Sequence, residues 1–204
     1  MLTVLERLRS IYPNPTTALN HQNPFELLVA TILSAQCTDE RVNIITKDLF
    51  PAFPTPDALA AASFEEVASY VKSAGLWQTK TKNLIETAQI LVEKHGGQVP
   101  RTREELEELP GVGRKTASVV LANAFQIPAI AVDTHVFRVA NRLGLANASN
   151  VYQTELQLME AIPQEHWIDA HHWLILHGRA LCKARNPLCQ ECPLSVHCAY
   201  FQAN

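Results

Sequence analysis

Leu109-Pro110-Gly111-Val112-Gly113-Arg114-Lys115-Thr116-Ala117 is the stretch that decides how this chain folds. Just before it, Thr102-Arg103-Glu104-Glu105 has the form of a capping box, with the Thr102 hydroxyl accepting from the Glu105 amide and Glu105 reaching back. A short helix through Leu106 and Leu109 follows, and Pro110 and Gly111 stop it. After Gly113 the apolar run Ala117-Ser118-Val119-Val120-Leu121-Ala122 meets no breaker until Pro128. The pattern is helix, tight Gly-x-Gly turn, helix. Two glycines in such a turn allow positive φ and a close approach of backbone to ligand. The unpaired amides that open the second helix carry partial positive charge, so an anion such as phosphate fits there.

The other dense signal is Cys182-x6-Cys189-x2-Cys192-x5-Cys198, four thiols within seventeen residues. Five cysteines in a chain read as cytosolic argue for metal or catalysis rather than disulfides. Zinc sites of four cysteines usually pair their ligands two to four residues apart, and here only Cys189 and Cys192 are so spaced. The longer gaps suit the wider loops of a cubane cluster, with zinc as the rival occupant. Cys37 stands apart and reads as a small buried hydrophobe.

A third segment, Val132-Asp133-Thr134-His135-Val136-Phe137-Arg138-Val139, places an acid at the start of a helix that Gly144 closes. Taken with the hairpin and the cysteines, it resembles the endonuclease III family of DNA glycosylases and abasic-site lyases, from about Pro24 to Cys198. The resemblance implies a helix-hairpin-helix fold and a [4Fe–4S] cluster on Cys182, Cys189, Cys192 and Cys198. It implies Lys115 as the amine that attacks C1′ and Asp133 as the carboxylate that stabilises a cationic sugar. Gly111, Val112, Gly113 and Arg114 would hold backbone phosphate at the hairpin, and Lys183 and Arg185 would do so at the cluster loop. Gln36 and Leu76 match the positions that fill the space left by a flipped base, and His135 lines the active site. The implied partner is double-stranded DNA bearing a damaged base, an oxidised pyrimidine in this family, or an abasic site.

The same resemblance supplies a domain plan. A helical barrel would run from residue 17 to 127. Residues 1–16 and 128–204 would form a second, cluster-bearing domain, the two facing each other across a groove with Lys115 and Asp133 at its mouth.

Pattern alone gives the fold class, which is all-α. Leu2, Val4, Leu5, Leu8 and Ile11 recur at helical spacing. Asn23-Pro24 opens a helix that is apolar on nearly all sides and runs to Gln36, which marks it as buried. Further helices are predicted over Glu40 to Phe50, from the capping box at Ser63 to Gly75, and through Leu84 to Gly96-Gly97. Pro51 to Pro56 is predicted as loop. Beyond Gly144, helices are predicted from Tyr152 to Ile162 and from Glu165 to His177 with Gly178 as its close.

The formal charge of −3 does not by itself suggest a nucleic-acid binder. Its distribution matters more than the sum: Glu104, Glu105, Glu107 and Glu108 precede the turn, while Arg114, Lys115, Arg138, Arg142, Arg179, Lys183 and Arg185 follow it, and a face built from the second group would be basic in an acidic chain. No apolar run is long enough to span a bilayer, and the start Met1-Leu2-Thr3-Val4-Leu5-Glu6-Arg7 lacks the marks of a signal peptide. A cytoplasmic monomer without membrane contact, nucleoid-associated when bound to DNA, is the expectation.

Two rival functions remain at this point. A monofunctional adenine-removing relative would carry a catalytic Glu where this chain has Thr31, and would lack Lys115. A non-catalytic DNA-binding module with a structural metal would need neither Lys115 nor Asp133.

Overall fold

A computed structural model describes residues 2–203, and it is built from helices alone: among these residues there is no strand. In chain order the helices are α1 (Leu2–Ile11), α2 (Pro24–Leu33), α3 (Asp39–Ala52), α4 (Pro56–Ala60), α5 (Phe64–Val71) and α6 (Trp77–His95). They continue with α7 (Arg103–Glu107), α8 (Arg114–Phe125), α9 (Thr134–Leu143), α10 (Val151–Ala161), α11 (Trp167–Ala180) and α12 (Ala199–Gln202). Met1 and the Leu2 side chain, both used in reading the N-terminal segment, lie outside what is described.

The chain divides into two compact units, Thr17–Gln126 on one side and Met1–Thr16 with Ile127–Asn204 on the other. Residue 127 falls with the second of these.

In the continuous unit α2 is the central helix. Phe25 and every residue from Leu27 to Leu33 are buried, and α2 packs on α3, α6 and α8. Asn23 starts it by accepting from the Glu26 amide, with Pro24 at the first helical position. The helix ends at Leu33 rather than running to Gln36, because Gln36 is left-handed at φ 52°. Residues 34–37 form a turn instead, in which the Cys37 amide donates to Ser34 O at 3.1 Å.

Pro51 lies inside the last turn of α3, and the segment predicted as loop contains α4. Thr55 caps α4 and Pro56 starts it, a local signal that a reading of proline only as a breaker passes over. The capping box at Ser63 forms in full, with Glu66 accepting from the Ser63 amide and the Ser63 hydroxyl accepting from the Glu66 amide. At Thr102 the box closes differently, the Thr102 hydroxyl donating to the Glu105 carboxylate at 2.5 Å. Gly96, left-handed at φ 58°, stops α6.

In the discontinuous unit α9 packs on α10, α11 and α12, and α1 packs on α11. Leu8, Val136, Val139, Trp173 and Leu174 form its buried centre, and Leu194 and Cys198 from the C-terminal loop join the same core. The Trp173 indole donates to Tyr12 O at 3.0 Å, and Arg7 donates to Pro193 O at 3.2 Å. These two bonds fasten the N-terminal helix to segments more than a hundred residues away.

Gly178 does not close α11, which continues to Ala180. A Cβ on Gly178 would sit 3.0 Å from Val139, 3.1 Å from the Arg138 guanidinium and 3.2 Å from the His135 ring. The glycine is therefore a helix–helix contact rather than a cap.

Candidate functional site

The hairpin turn is held from below by two other elements. The Thr87 hydroxyl of α6 donates to Pro110 O at 3.1 Å. Arg103 of α7 donates to Arg114 O at 3.3 Å and to the Ser118 hydroxyl at 2.8 Å, pinning α7 to the first turn of α8. Val112 is buried and its amide donates to Leu109 O at 3.0 Å, which folds the turn back on itself.

The two glycines play different parts. Gly111 has φ +79°, and a Cβ there would lie 2.7 Å from Asn83 Nδ2. Gly113, by contrast, is extended at φ −99° and ψ −178°, so the expected positive φ is found at only one of the pair. What Gly113 contributes is room: nothing lies within 4 Å of where its Cβ would be. It is the N-cap of α8 and offers no side chain to the first-turn amides. Arg114 is half-buried, while Lys115 is exposed in that same first turn. Open amides, a helix start and an exposed ammonium together make a seat for an anion.

Two other predicted contact residues lie in this unit, on adjoining turns. Gln36 is exposed at φ 52°, and Leu76 is 58% exposed at φ 58° as the N-cap residue of α6. Left-handed backbone is uncommon for side chains of this kind, and such residues persist only where their surroundings hold them. The turns touch: a Cβ on Gly75 would be 3.0 Å from Gln36 O. Thr31 is buried in α2 with its hydroxyl donating to Leu27 O at 2.7 Å.

In the other unit Asp133 is half-buried as the N-cap of α9, its Oδ1 accepting from the Val136 amide at 2.8 Å. His135 follows on the first turn, with its Nδ1 3.2 Å from the Arg138 guanidinium. A guanidinium only donates, so Nδ1 accepts and the neutral ring carries its proton on Nε2.

Arg138 and Arg142 stand among the basic residues that follow the turn in sequence, but their guanidiniums are engaged within the protein. Arg138 donates to Cys182 O at 3.0 Å and Gly178 O at 3.1 Å. Arg142 donates to Lys183 O at 2.7 Å and Ala184 O at 3.3 Å, approaches Cys182 Sγ at 3.6 Å, and stacks over the Tyr200 ring. Lys183 and Arg185 are left exposed on the loop these arginines hold. Sequence reading missed this role because each arginine's carbonyl partners on the loop lie about forty residues downstream.

The four C-terminal cysteines, none in a disulfide, line one pocket together with Leu143, Leu181, Leu188 and Phe201. Burial pushes the Cys192 thiol up, and the charges of Cys198, Cys182 and Cys189 add to the rise. Cys192 thus lies within electrostatic reach of the other three sulfurs, and all four line the same pocket. Among the described residues no three His, Cys, Asp or Glu side chains converge as ligands of a single ion. A cubane is wider than one ion, and four thiolates spread around an apolar pocket suit it. Nearby His177 is buried, its Nε2 3.5 Å from Cys192 Sγ and its ring pushed down to about 4 by burial.

Comparison with known proteins agrees with both halves of this picture. The family described as HhH-GPD superfamily base excision DNA repair protein matches residues 29–164, more than half of the chain. The iron–sulfur binding domain of endonuclease III matches residues 182–198, from the first of the four cysteines to the last. Endonuclease III of Escherichia coli (strain K12) is 52% identical over 199 residues, covering 98% of this chain and 94% of its own.

The chain belongs to the endonuclease III family.

Two solved structures of endonuclease III superpose on it, a non-covalent complex with DNA at a TM-score of 0.93 and a trapped covalent intermediate with DNA at 0.92. Each is 46% identical and covers 98% of this chain and 94% of the solved one. As a member of the endonuclease III family the chain is a base excision repair enzyme whose cofactor is a [4Fe–4S] cluster. No described helix is long and apolar enough to cross a membrane.

Proposed function

We propose that this enzyme is a bifunctional DNA glycosylase and abasic-site lyase in which Lys115 is the nucleophile and Asp133 the electrostatic stabiliser. The observation that carries the assignment is the exposed Lys115 in the first turn of α8, directly after an N-cap that leaves the helix amides open. Such a place brings an amine to a nucleotide whose phosphate is held by the same helix start.

The chemistry follows in order. A damaged base, an oxidised pyrimidine in this reading, is turned out of the stack. The C1′–N bond breaks with positive charge building on the sugar, which the Asp133 carboxylate stabilises. Lys115 Nζ bonds to C1′, the base departs with a proton, and the sugar ring opens to an imine. Loss of a C2′ proton then expels the 3′ phosphate by β-elimination, and water returns the free amine.

Gly111, Val112, Gly113 and Arg114 would hold the backbone beside the lesion, and Lys183 and Arg185 would grip a second stretch. Gln36 and Leu76, exposed on touching turns, would take up the vacated space. His135 would face the sugar from the first turn of α9. Cys182, Cys189, Cys192 and Cys198 would ligate the cluster, which when bound cross-links the loop bearing Lys183 and Arg185. Bound to its DNA partner, the working enzyme would be associated with the nucleoid.

Thr31 supports the lyase over an adenine-removing glycosylase, since its place in α2 holds a hydroxyl turned back on the helix and no carboxylate.

Borohydride trapping tests the assignment. With an abasic duplex the wild-type protein is expected to give a covalent complex that survives denaturation. Lys115→Gln should bind the duplex yet trap nothing and cut nothing. Trapping by Lys115→Gln at the wild-type level would remove Lys115 from the role. Asp133→Asn should still trap from a preformed abasic site while excising a damaged base far more slowly.

A further inference from the structure

Lys80 is a charged side chain that the chemistry above leaves unused. It is only 3% exposed, and its Nζ is sealed from solvent with no hydrogen-bond partner. Buried polar groups are almost always paired, so an orphan ammonium marks stored strain or a partner yet to arrive.

Its position is informative. Lys80 lies in the first turn of α6, its amide donating to Leu76 O at 3.0 Å. Helical side chains lean toward the N-terminus, here toward Leu76 and Gly75. Burial pushes its ammonium below the usual lysine range, and Cys37 is the group whose charge opposes that fall. The helix that carries Lys80 packs on α2, the helix that the turn of residues 34–37 ends. The same turn carries Gln36 and meets Gly75, where a Cβ would be 3.0 Å from Gln36 O. Lys80 thus stands one helical turn behind the left-handed Leu76, at the end of α6 where Gly75 meets the turn of the left-handed Gln36.

We propose that Lys80 is a positioning residue for the paired Gln36 and Leu76 tips, its ammonium being the donor that a main-chain carbonyl of the 34–37 turn accepts when the tips enter the duplex. The proposal rests on the reading of Gln36 and Leu76 as the residues that fill the vacated space. A donor without an acceptor in the free protein, and with one in the engaged form, favours the engaged form. The free protein gains nothing from it. A DNA phosphate is the other acceptor by chemistry, but an Nζ sealed from solvent favours a carbonyl of the protein itself.

The test uses full-length, cluster-containing protein and duplexes carrying 2-aminopurine beside a lesion, whose fluorescence rises on unstacking. Lys80→Met keeps the length and removes the charge; Lys80→Arg keeps the charge. Lys80→Met is expected to melt no lower than wild type and to bind undamaged duplex with the same salt slope. Its fluorescence rise should be lost and its single-turnover base removal slowed at least tenfold, with Lys80→Arg restoring both. Wild-type excision by Lys80→Met overturns the proposal, and so does a salt slope shallower by one phosphate contact. A lowered melting temperature with no rescue by arginine would make Lys80 merely structural. Should Lys80→Met not fold, Lys80→Gln takes its place, and failure of both to fold also overturns the proposal. Gln36→Ala and Leu76→Ala separate the two readings. If both keep the fluorescence rise, the tips do not enter the duplex. If both lose it while Lys80→Met keeps it, the tips stand and the role of Lys80 falls.

Discussion

Gly111 and Gly113 are the same residue two positions apart, and their replacement should have opposite results. Alanine at 111 must take a left-handed backbone and meet Asn83 Nδ2 at 2.7 Å. A loss of about 1–2 kcal/mol is expected from the backbone alone, more with the displacement of Asn83, and urea unfolding measures it. Alanine at 113 meets an extended backbone and empty space, so stability should change by no more than about 0.5 kcal/mol. The new methyl stands where a DNA phosphate would approach the α8 amides, so Gly113→Ala should bind an abasic duplex more weakly at unchanged melting temperature. The exposed loop side chains Lys183 and Arg185 are to be separated in another way. Alanine at either should flatten log K against log salt by about 0.9 with little change in lesion preference, and a parental slope in both would exclude the loop from phosphate contact.

At the scale of the element, α9 does two jobs at once: its first residue follows Asp133, and its arginines hold the loop that starts at Cys182. Arg142→Gln should leave the helix intact but free that loop, and visible absorbance should fade faster than in wild type under a chelator. Partner helix α11 carries a buried pH dependence. His172 is pushed down to about 4 by burial, with His171 adding to the fall and Asp169 opposing it. Between about pH 6.5 and 4 the unfolded chain takes up this proton and the folded chain does not, so stability falls as pH falls through that window. His172→Gln should remove about 2 kcal/mol of the stability difference between pH 7 and pH 5, read by denaturation at both. The helices themselves were largely legible, because caps such as Asn23 and Asp133 and stops such as Gly96 are local signals. Illegible features had distant causes. Gly178 reads as a helix stop until Val139 and Arg138 are seen against it. Gln36 reads as the end of α2 until its turn is seen against Gly75. In the candidate site, Lys115 and the cysteines were visible as types and spacings. Arg103, Lys80 and the tasks of Arg138 and Arg142 were not, since each depends on a partner or a burial that one stretch of sequence does not contain.

Over the whole molecule, the candidate nucleophile and the candidate carboxylate belong to different units, and the cysteine loop belongs to the unit of the carboxylate. Cys198 and Leu194 are part of that unit's core, so the iron centre is expected to support α9 and α11 more than α2 or α8. Removal of iron should therefore raise amide hydrogen exchange first in residues 134–143 and 167–180, with protection in residues 24–33 and 114–125 surviving longer. Equal loss everywhere would mean that the two units unfold as one. The pairing of Tyr12 with Trp173 carries one more consequence, for a chain that leaves the ribosome from its N-terminus. The unit from Thr17 to Gln126 is complete in one continuous piece and is free to fold as soon as it emerges. Helix α1 emerges before that unit, and the core it joins, from Ile130 onward, emerges only after it, a wait of roughly ten seconds at typical rates of synthesis. Throughout that interval the apolar face of Val4, Leu5 and Leu8 is uncovered on every nascent copy, so a segment made before the continuous unit is sheltered only after that unit is finished.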